Sequence, residues 1–94
     1  MEGVLWHVLA SSRGGQRRLE LLMLLDERPR NANELADAMD VDYTTVRHHL
    51  DVLSENQVVE AATEGYGAIY LPTQQTRDHW DVVEEIRSAM EDST

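Results

Sequence analysis

Few side chains in this sequence of 94 residues could bind a metal ion or act as a nucleophile. The absence of cysteine excludes disulfides, thiolate metal ligands and thiol nucleophiles. The adjacent pair His48-His49 suggests a metal site, but neighbouring residues on a helix diverge by about 100 degrees and cannot chelate one ion from one chain. No nucleophile stands at a usable spacing from a base. We therefore expect no catalytic site, no metal and no cofactor, and a protein that is not an enzyme.

A different kind of chemistry is suggested by one face of a helix predicted from about Tyr43 to Asn56. Asp42 would cap this helix, and its apolar positions Val46, Leu50 and Leu53 repeat at the spacing of a single face. The opposite face carries Thr44, His48, Asp51 and Glu55, flanked by Thr45 and Arg47. Hydroxyl, imidazole and guanidinium groups hydrogen bond to base edges and phosphates. This face is therefore available to a partner, and duplex DNA fits its chemistry.

Several of these side chains have an alternative role within the chain. Arg47 could pair with Asp51 at i+4, although its position beside the outward face favours a DNA contact. Arg13, Arg17 and Arg18 cluster near the start of a helix predicted from about residue 16. For these three arginines, phosphate contact and intradomain ion pairing both remain open. Tyr66 could touch a sugar or phosphate, but Glu64 beside it would oppose close approach. The candidate DNA contacts are Tyr43, Thr44, Thr45, Arg47, His48, Arg13, Arg17, Arg18 and Tyr66.

The elements that must position these residues can be placed from periodicity and from breaking residues. Helices are predicted at about 4–10, 16–26, 31–39, 43–56 and 75–91, with a β-hairpin formed by 58–62 and 67–71. Asn31 and Glu34 form a capping box, and Asp40 occupies the turn between two helices. The fold class is mainly α with a small β-hairpin, in the winged helix-turn-helix order. We expect one domain over 1–94, with the helix-turn-helix at about 31–56, the wing at about 58–72 and the C-terminal helix at about 75–91.

The first and last helices lie outside the helix-turn-helix and are rich in apolar residues. They could cover the back of one monomer's core, but DNA readers gain specificity by pairing half-sites, which favours a homodimer. The residues expected at the dimer interface are Leu5, Trp6, Leu9, Trp80, Val83, Ile86 and Met90.

The charge balance is strongly acidic, with 18 acidic residues against 8 basic ones and a net charge of -10. All basic residues are arginine. An acidic surface without lysine is typical of proteins from cells that hold molar salt, where charge repulsion is screened over about 3 Å at 1 M ionic strength. The apolar stretch near the N-terminus follows an acidic residue and is too short for a membrane span, so we expect a cytoplasmic protein without a membrane partner.

Three segments together resemble the helix-turn-helix of ArsR-like transcription regulators: residues 34–36, residues 41–50 and Leu53. The resemblance covers roughly residues 16–72, and the run 42–50 is especially similar to members from halophilic archaea. It implies that Thr44, Thr45, Arg47 and His48 face DNA and that His49 packs against the scaffold. Members of this family often sense metals through a cysteine pair near the short helix or through His and Asp on the last helix. This sequence has neither pattern, because Asp78-His79 lacks a second histidine, so the resemblance implies DNA binding alone.

Two functions from different classes follow from these observations. The first is a transcriptional regulator, adapted to high salt, that binds specific sequences in double-stranded DNA as a homodimer; no small-molecule effector is evident. The second is a winged-helix module that binds a protein partner through its acidic surface. Thr44, Thr45 and Arg47 favour the first, whereas Asp51 and Glu55 on the same face keep the second open.

Overall fold

The computed structural model of the protein describes residues 1–63 and 67–92. Its elements, in chain order, are α1 (Glu2–Trp6) with a π-helical continuation (His7–Ser11), α2 (Gly15–Glu27), β1 (Arg30–Asn31), α3 (Ala32–Met39), α4 (Tyr43–Glu55), β2 (Val59–Ala61), β3 (Ile69–Pro72), α5 (Gln74–Asp78) and α6 (Trp80–Asp92). The strands form one antiparallel sheet in the order β1-β3-β2. In the described ranges, no helix has both the length and the apolar character needed to cross a bilayer.

The ends of α3 and α4 are fixed by local hydrogen bonds that the sequence predicted. The Asn31 side chain accepts from the backbone N–H of Glu34 at 2.8 Å, and the Glu34 carboxylate accepts from the backbone N–H of Asn31 at 3.0 Å. This confirms the capping box. Asp40 ends α3 in the left-handed conformation with φ of 56°, and Asp42 caps α4. The turn between the two helices is therefore short and rigid.

A leucine-rich core joins α4 to the rest of the domain. Val46, Leu50 and Leu53 are fully buried, as their spacing predicted. They belong to a cluster whose other fully buried large side chains are Leu5, Leu9, Leu21, Leu22, Leu25, Leu35 and Ile86. Because the apolar face of α4 is held in this core, its opposite face is directed to solvent.

The N-terminal segment packs closely against the start of α2. A Cβ atom placed on Gly15 would lie 2.5 Å from the backbone oxygen of Leu9, a distance that no side chain can tolerate without a shift of the backbone. Glycine is thus required at this contact between the two segments.

The sheet contains a strand that the sequence did not predict. β1 is only two residues long, and Arg30 pairs with Tyr70 while Asn31 pairs with Ile69. On the other side of β3, Glu60 pairs with Leu71 as the predicted hairpin requires. A two-residue strand has no periodicity to detect, since its position depends on β3, almost forty residues later in the chain.

The C-terminal helix predicted at 75–91 is divided into two. Thr73 caps α5, and the Thr76 hydroxyl donates to the backbone oxygen of Val58 at 2.8 Å, which ties α5 to the base of the sheet. The chain then turns at His79, whose backbone N–H donates to Thr76 at i−3. The break lets α5 remain on the sheet while α6 packs on the core.

Four of the seven residues expected at a dimer interface require correction. Leu5, Leu9, Val83 and Ile86 are all 0% exposed within a single chain. They form part of its core and offer no surface to a second chain. The remaining three, Trp6, Trp80 and Met90, are half-buried and pack at the edge of the core.

Candidate nucleic-acid interface

The solvent face of α4 presents the polar residues that the helical spacing placed there. Tyr43 at its first turn is 42% exposed, and Thr44, His48, Asp51 and Glu55 are also exposed. Thr45 is half-buried, and both its backbone N–H and its hydroxyl donate to the Asp42 carboxylate, at 3.1 Å and 2.6 Å. These hydrogen bonds lower the pKa of Asp42 below its usual value. The Thr45 hydroxyl proton is thus already used within the chain.

Arg47 is held by two side chains on one side of α4. Its Nη1 donates to the Tyr70 hydroxyl at 2.7 Å, and its Nη2 donates to Asp51 Oδ1 at 3.3 Å. The guanidinium carbon lies 5.9 Å from the centre of the Tyr70 ring, within the range of a cation–π contact. The hydrogen bond to Tyr70 is the main cause that raises the pKa of Arg47. The i+4 ion pair is therefore present, and its weakness at an exposed site leaves Arg47 available to a partner.

A cleft of about 530 Å³ separates the start of α4 from the sheet. Its polar lining includes Asn31, Asn33, Tyr43, Arg47, Thr63 and Tyr70. These residues come from α4, from β3 and from the junction of β1 and α3, and Thr63 lies two residues after the end of β2. The cleft thus combines amide, hydroxyl and guanidinium groups that can contact a sugar-phosphate chain.

Arg18 was expected as a possible phosphate contact, and the structure shows that this is wrong. It is only 3% exposed. Its guanidinium donates to the backbone oxygens of Val8 and Arg13 at 2.7 Å and 3.0 Å, and to the Ser12 hydroxyl at 2.6 Å. The physical reason is the π-helical end of the N-terminal segment, whose carbonyl groups need donors that Arg18 supplies from α2.

Arg18 also contacts α4 through His49. Its Nη1 lies 3.2 Å from His49 Nδ1, and because arginine can only donate, this ring nitrogen must be the acceptor. His49 is buried, as the resemblance implied. Burial, followed by the positive charge of Arg18, lowers the pKa of His49. The histidine therefore acts as a neutral structural residue between α2 and α4.

The other arginines predicted to contact DNA differ in whether they form ion pairs within the chain. Arg17 is exposed and forms an ion pair with Glu20 at 3.0 Å. Arg13 is exposed and has no ion pair with any residue in the ranges that the structure describes. Tyr66, with Glu64 beside it, lies outside the described residues. Of the two exposed arginines near the start of α2, Arg13 is therefore freer than Arg17 to contact a partner.

His48 and His49 do not converge on a common point. Their ring centroids are 5.6 Å apart with planes tilted by 53°, and His49 Nδ1 is already engaged by Arg18. Among residues 1–63 and 67–92, no group of three or more histidines and carboxylates is arranged to hold a metal ion.

Tyr70 is the residue at this site that sequence reasoning missed. It stands 23 positions from Arg47, on a different element. No helical or strand spacing connects the two, because they meet only when β3 pairs within the sheet. The sequence indicated only that the residue is a tyrosine, whose hydroxyl usually forms a hydrogen bond when the ring is buried.

Several solved structures share the fold of this chain. One of these is a homodimeric winged helix-turn-helix DNA-binding domain from Mycobacterium bovis, described as a possible ArsR-family transcriptional regulator. It superposes with a TM-score of 0.67 at 24% identity, over 97% of this chain and 76% of that one. A protein from Mycobacterium tuberculosis gives a TM-score of 0.69 at 23% identity over 95% of this chain and 87% of its own. An ArsR-like transcriptional regulator from a Rhodococcus species gives a TM-score of 0.68 at 22% identity, over 98% of this chain and 83% of its own.

These similarities confirm the winged helix-turn-helix fold. No curated protein matches the chain at a significant level. The family model for bacterial regulatory proteins of the arsR family matches residues 15–61, which is half of the chain and contains α2, α3 and α4. The chain belongs to the arsR family of bacterial regulatory proteins.

Proposed function

We propose that the protein is a transcriptional regulator that recognises specific sequences in double-stranded DNA with the exposed face of α4. The observation that carries this proposal is the outward-facing set of Tyr43, Thr44, Arg47 and His48 on a helix whose other face is locked in the core. Such a helix fits the major groove, and the sheet beside it forms the wing. Membership of the arsR family supports the same function.

The acidic surface favours action at high salt concentration. Asp51 and Glu55 lie on the same face of α4 as the proposed base contacts. In dilute buffer these carboxylates would repel phosphates, whereas molar salt reduces the screening length to about 3 Å. We therefore propose that the regulator is adapted to high salt, in keeping with its net charge of -10 and its lack of lysine.

We further propose that the regulator acts as a homodimer through the outer surfaces of α1 and α6. Trp6 and Trp80 are large, apolar and only half-buried in one chain, and Met90 lies further along α6. A second copy would cover them. The Mycobacterium bovis domain with this fold is described as homodimeric, which supports the proposal.

Selection from a random duplex pool tests the DNA-binding function. The chain is incubated with the pool in molar potassium chloride, and the bound fragments are sequenced after several rounds. We expect one enriched motif, whose two-fold symmetry would match a dimer. A parallel selection with the variant T44A/R47A should lose the enrichment. If the unmodified chain enriches no motif, the protein does not recognise specific DNA, and the alternative of a protein-interaction module is favoured.

Light scattering in high salt tests the dimer. We expect twice the mass of one chain for the unmodified protein and one chain for Trp80→Glu, with circular dichroism showing that the variant retains its helices. A stable monomer of the unmodified protein would contradict the proposed interface.

A further inference from the structure

A tyrosine of the sheet contacts the arginine beside the solvent face of α4. Arg47 projects from α4 beside the cleft, and Tyr70 reaches it from the middle of β3. Tyr70 faces Arg30 on β1 and Ala61 on β2, so its backbone is fixed from both sides. The residue is only 8% exposed. The hydroxyl is thus a rigid acceptor rather than a mobile surface group.

The two hydrogen bonds of Arg47 leave much of its donor capacity unused. A guanidinium has five N–H donors, of which one is given to Tyr70 and one to Asp51. Three donors remain for acceptors outside the chain. Because an arginine that recognises guanine must present two donors in one plane, its orientation matters as much as its charge.

The two anchors differ in strength. The Asp51 contact is long at 3.3 Å and joins two exposed side chains, so water competes with it. The Tyr70 contact is short at 2.7 Å, and the buried ring also lies within cation–π range of the guanidinium. Tyr70 therefore restricts the orientation of Arg47 more firmly than Asp51 does.

We propose that Tyr70 is a positioning residue for DNA recognition, which holds the Arg47 guanidinium in the orientation required to contact a base. This inference rests on the proposed DNA-binding function and adds a residue to it. Ordering a long side chain before binding avoids an entropy cost at the interface, and one such side chain changes affinity by about three- to tenfold.

A double-mutant cycle on the selected operator tests the inference. Tyr70→Phe retains the ring and removes only the hydroxyl, so we expect a folded variant whose melting temperature falls by no more than about 8 °C. Its preference for the operator over a scrambled duplex should fall by about three- to tenfold. In the Arg47→Ala background the same change should have no effect on this preference. An undiminished preference in Tyr70→Phe, or an equal loss in both backgrounds, would overturn the inference.

A measurement without DNA separates this inference from the proposed function. Nuclear magnetic resonance of the arginine side chains should show slow rotation of the Arg47 guanidinium in the free protein, and rapid rotation in Tyr70→Phe. Rapid rotation in the unmodified protein would exclude a positioning role, even if Tyr70→Phe failed to fold. An absence of any enriched operator would instead overturn the DNA-binding function, and the positioning role in recognition with it.

Discussion

The arginines of this chain show that one residue type can serve opposite purposes a few ångströms from the same helix. Arg47 is half-buried beside the solvent face of α4 and retains unused donors besides its bonds to Tyr70 and Asp51. Arg18 is enclosed between α2, α4 and the N-terminal segment. Their immediate neighbours in the sequence do not distinguish them, since each has one apolar and one polar neighbour. The two arginines differ in burial, and this difference separates the structural role of Arg18 from the role proposed for Arg47.

Replacement of Arg47 by alanine should weaken the preference for the operator while leaving the domain folded. A good base contact contributes about 1–3 kcal/mol of discrimination, whereas loss of the exposed ion pair with Asp51 and of the hydrogen bond to Tyr70 should together cost about 1–2 kcal/mol of stability. Fluorescence anisotropy with operator and scrambled duplexes measures the first quantity, and urea unfolding the second. Arg77→Ala is the matched control, because Arg77 forms a similarly exposed ion pair with Asp26 from α5. Unchanged operator affinity in folded Arg47→Ala would refute the assignment.

Replacement of Arg18 by alanine should instead destabilise the domain. Two backbone carbonyls and the Ser12 hydroxyl would lose a buried charged donor, which we expect to lower the free energy of unfolding by about 2–3 kcal/mol. Its neighbour Arg17 is the control, since it is exposed and Arg17→Ala should change stability by less than about 0.5 kcal/mol. Equal effects of the two variants in urea unfolding would show that Arg18 does not hold the N-terminal segment.

Within the helices and strands, the features that depend on nearby residues could be predicted from the sequence. The capping box of Asn31 and Glu34, the left-handed Asp40 and the buried stripe of α4 each depend on residues within one or two helical turns. Features that depend on distant partners could not be predicted. β1 exists only because β3 pairs with it, the break at His79 depends on the Thr76 contact with Val58, and the Tyr70 contact requires the assembled wing.

The contact between α2 and α4 should make stability depend on pH. His49 accepts from Arg18, and its burial, followed by the positive charge of Arg18 and smaller contributions from His48 and Arg17, lowers its pKa in the folded protein. Because its folded pKa lies below the unfolded value of about 6.5, the unfolded chain binds a proton that the folded chain resists. Stability is complete above pH about 6.5 and is lost as the pH falls from there through the lowered folded pKa.

Thermal unfolding at a series of pH values checks this dependence. His49→Gln, which keeps an acceptor and cannot titrate in this range, serves as the control. The melting temperature of the unmodified protein should fall more steeply than that of the variant between pH about 6.5 and 5. Parallel curves for the two proteins would show that protonation of His49 does not oppose folding.

At the scale of the whole molecule, the few cations are already largely committed within the chain. Six of the eight arginines form ion pairs, and Arg18 is buried. Among the described residues, Arg13 and Arg47 are the best placed to meet phosphates or bases, while Asp51 and Glu55 share the solvent face of α4 with Arg47. A typical basic regulator loses affinity with a slope of about -0.9 in log salt per neutralised phosphate. This protein would release few counterions, and uptake of cations by its carboxylates would offset that release.

Sequence-specific recognition by α4 is best tested by measuring the affinity for the selected operator, and for a scrambled duplex of equal length, from dilute buffer to molar potassium chloride. We expect a preference for the operator that is strongest near molar salt, with a shallow or positive slope of log affinity against log salt. Equal binding of the two duplexes at every concentration would contradict sequence-specific recognition by α4. A steep loss of operator binding with rising salt would contradict the placement of Asp51 and Glu55 at the DNA surface.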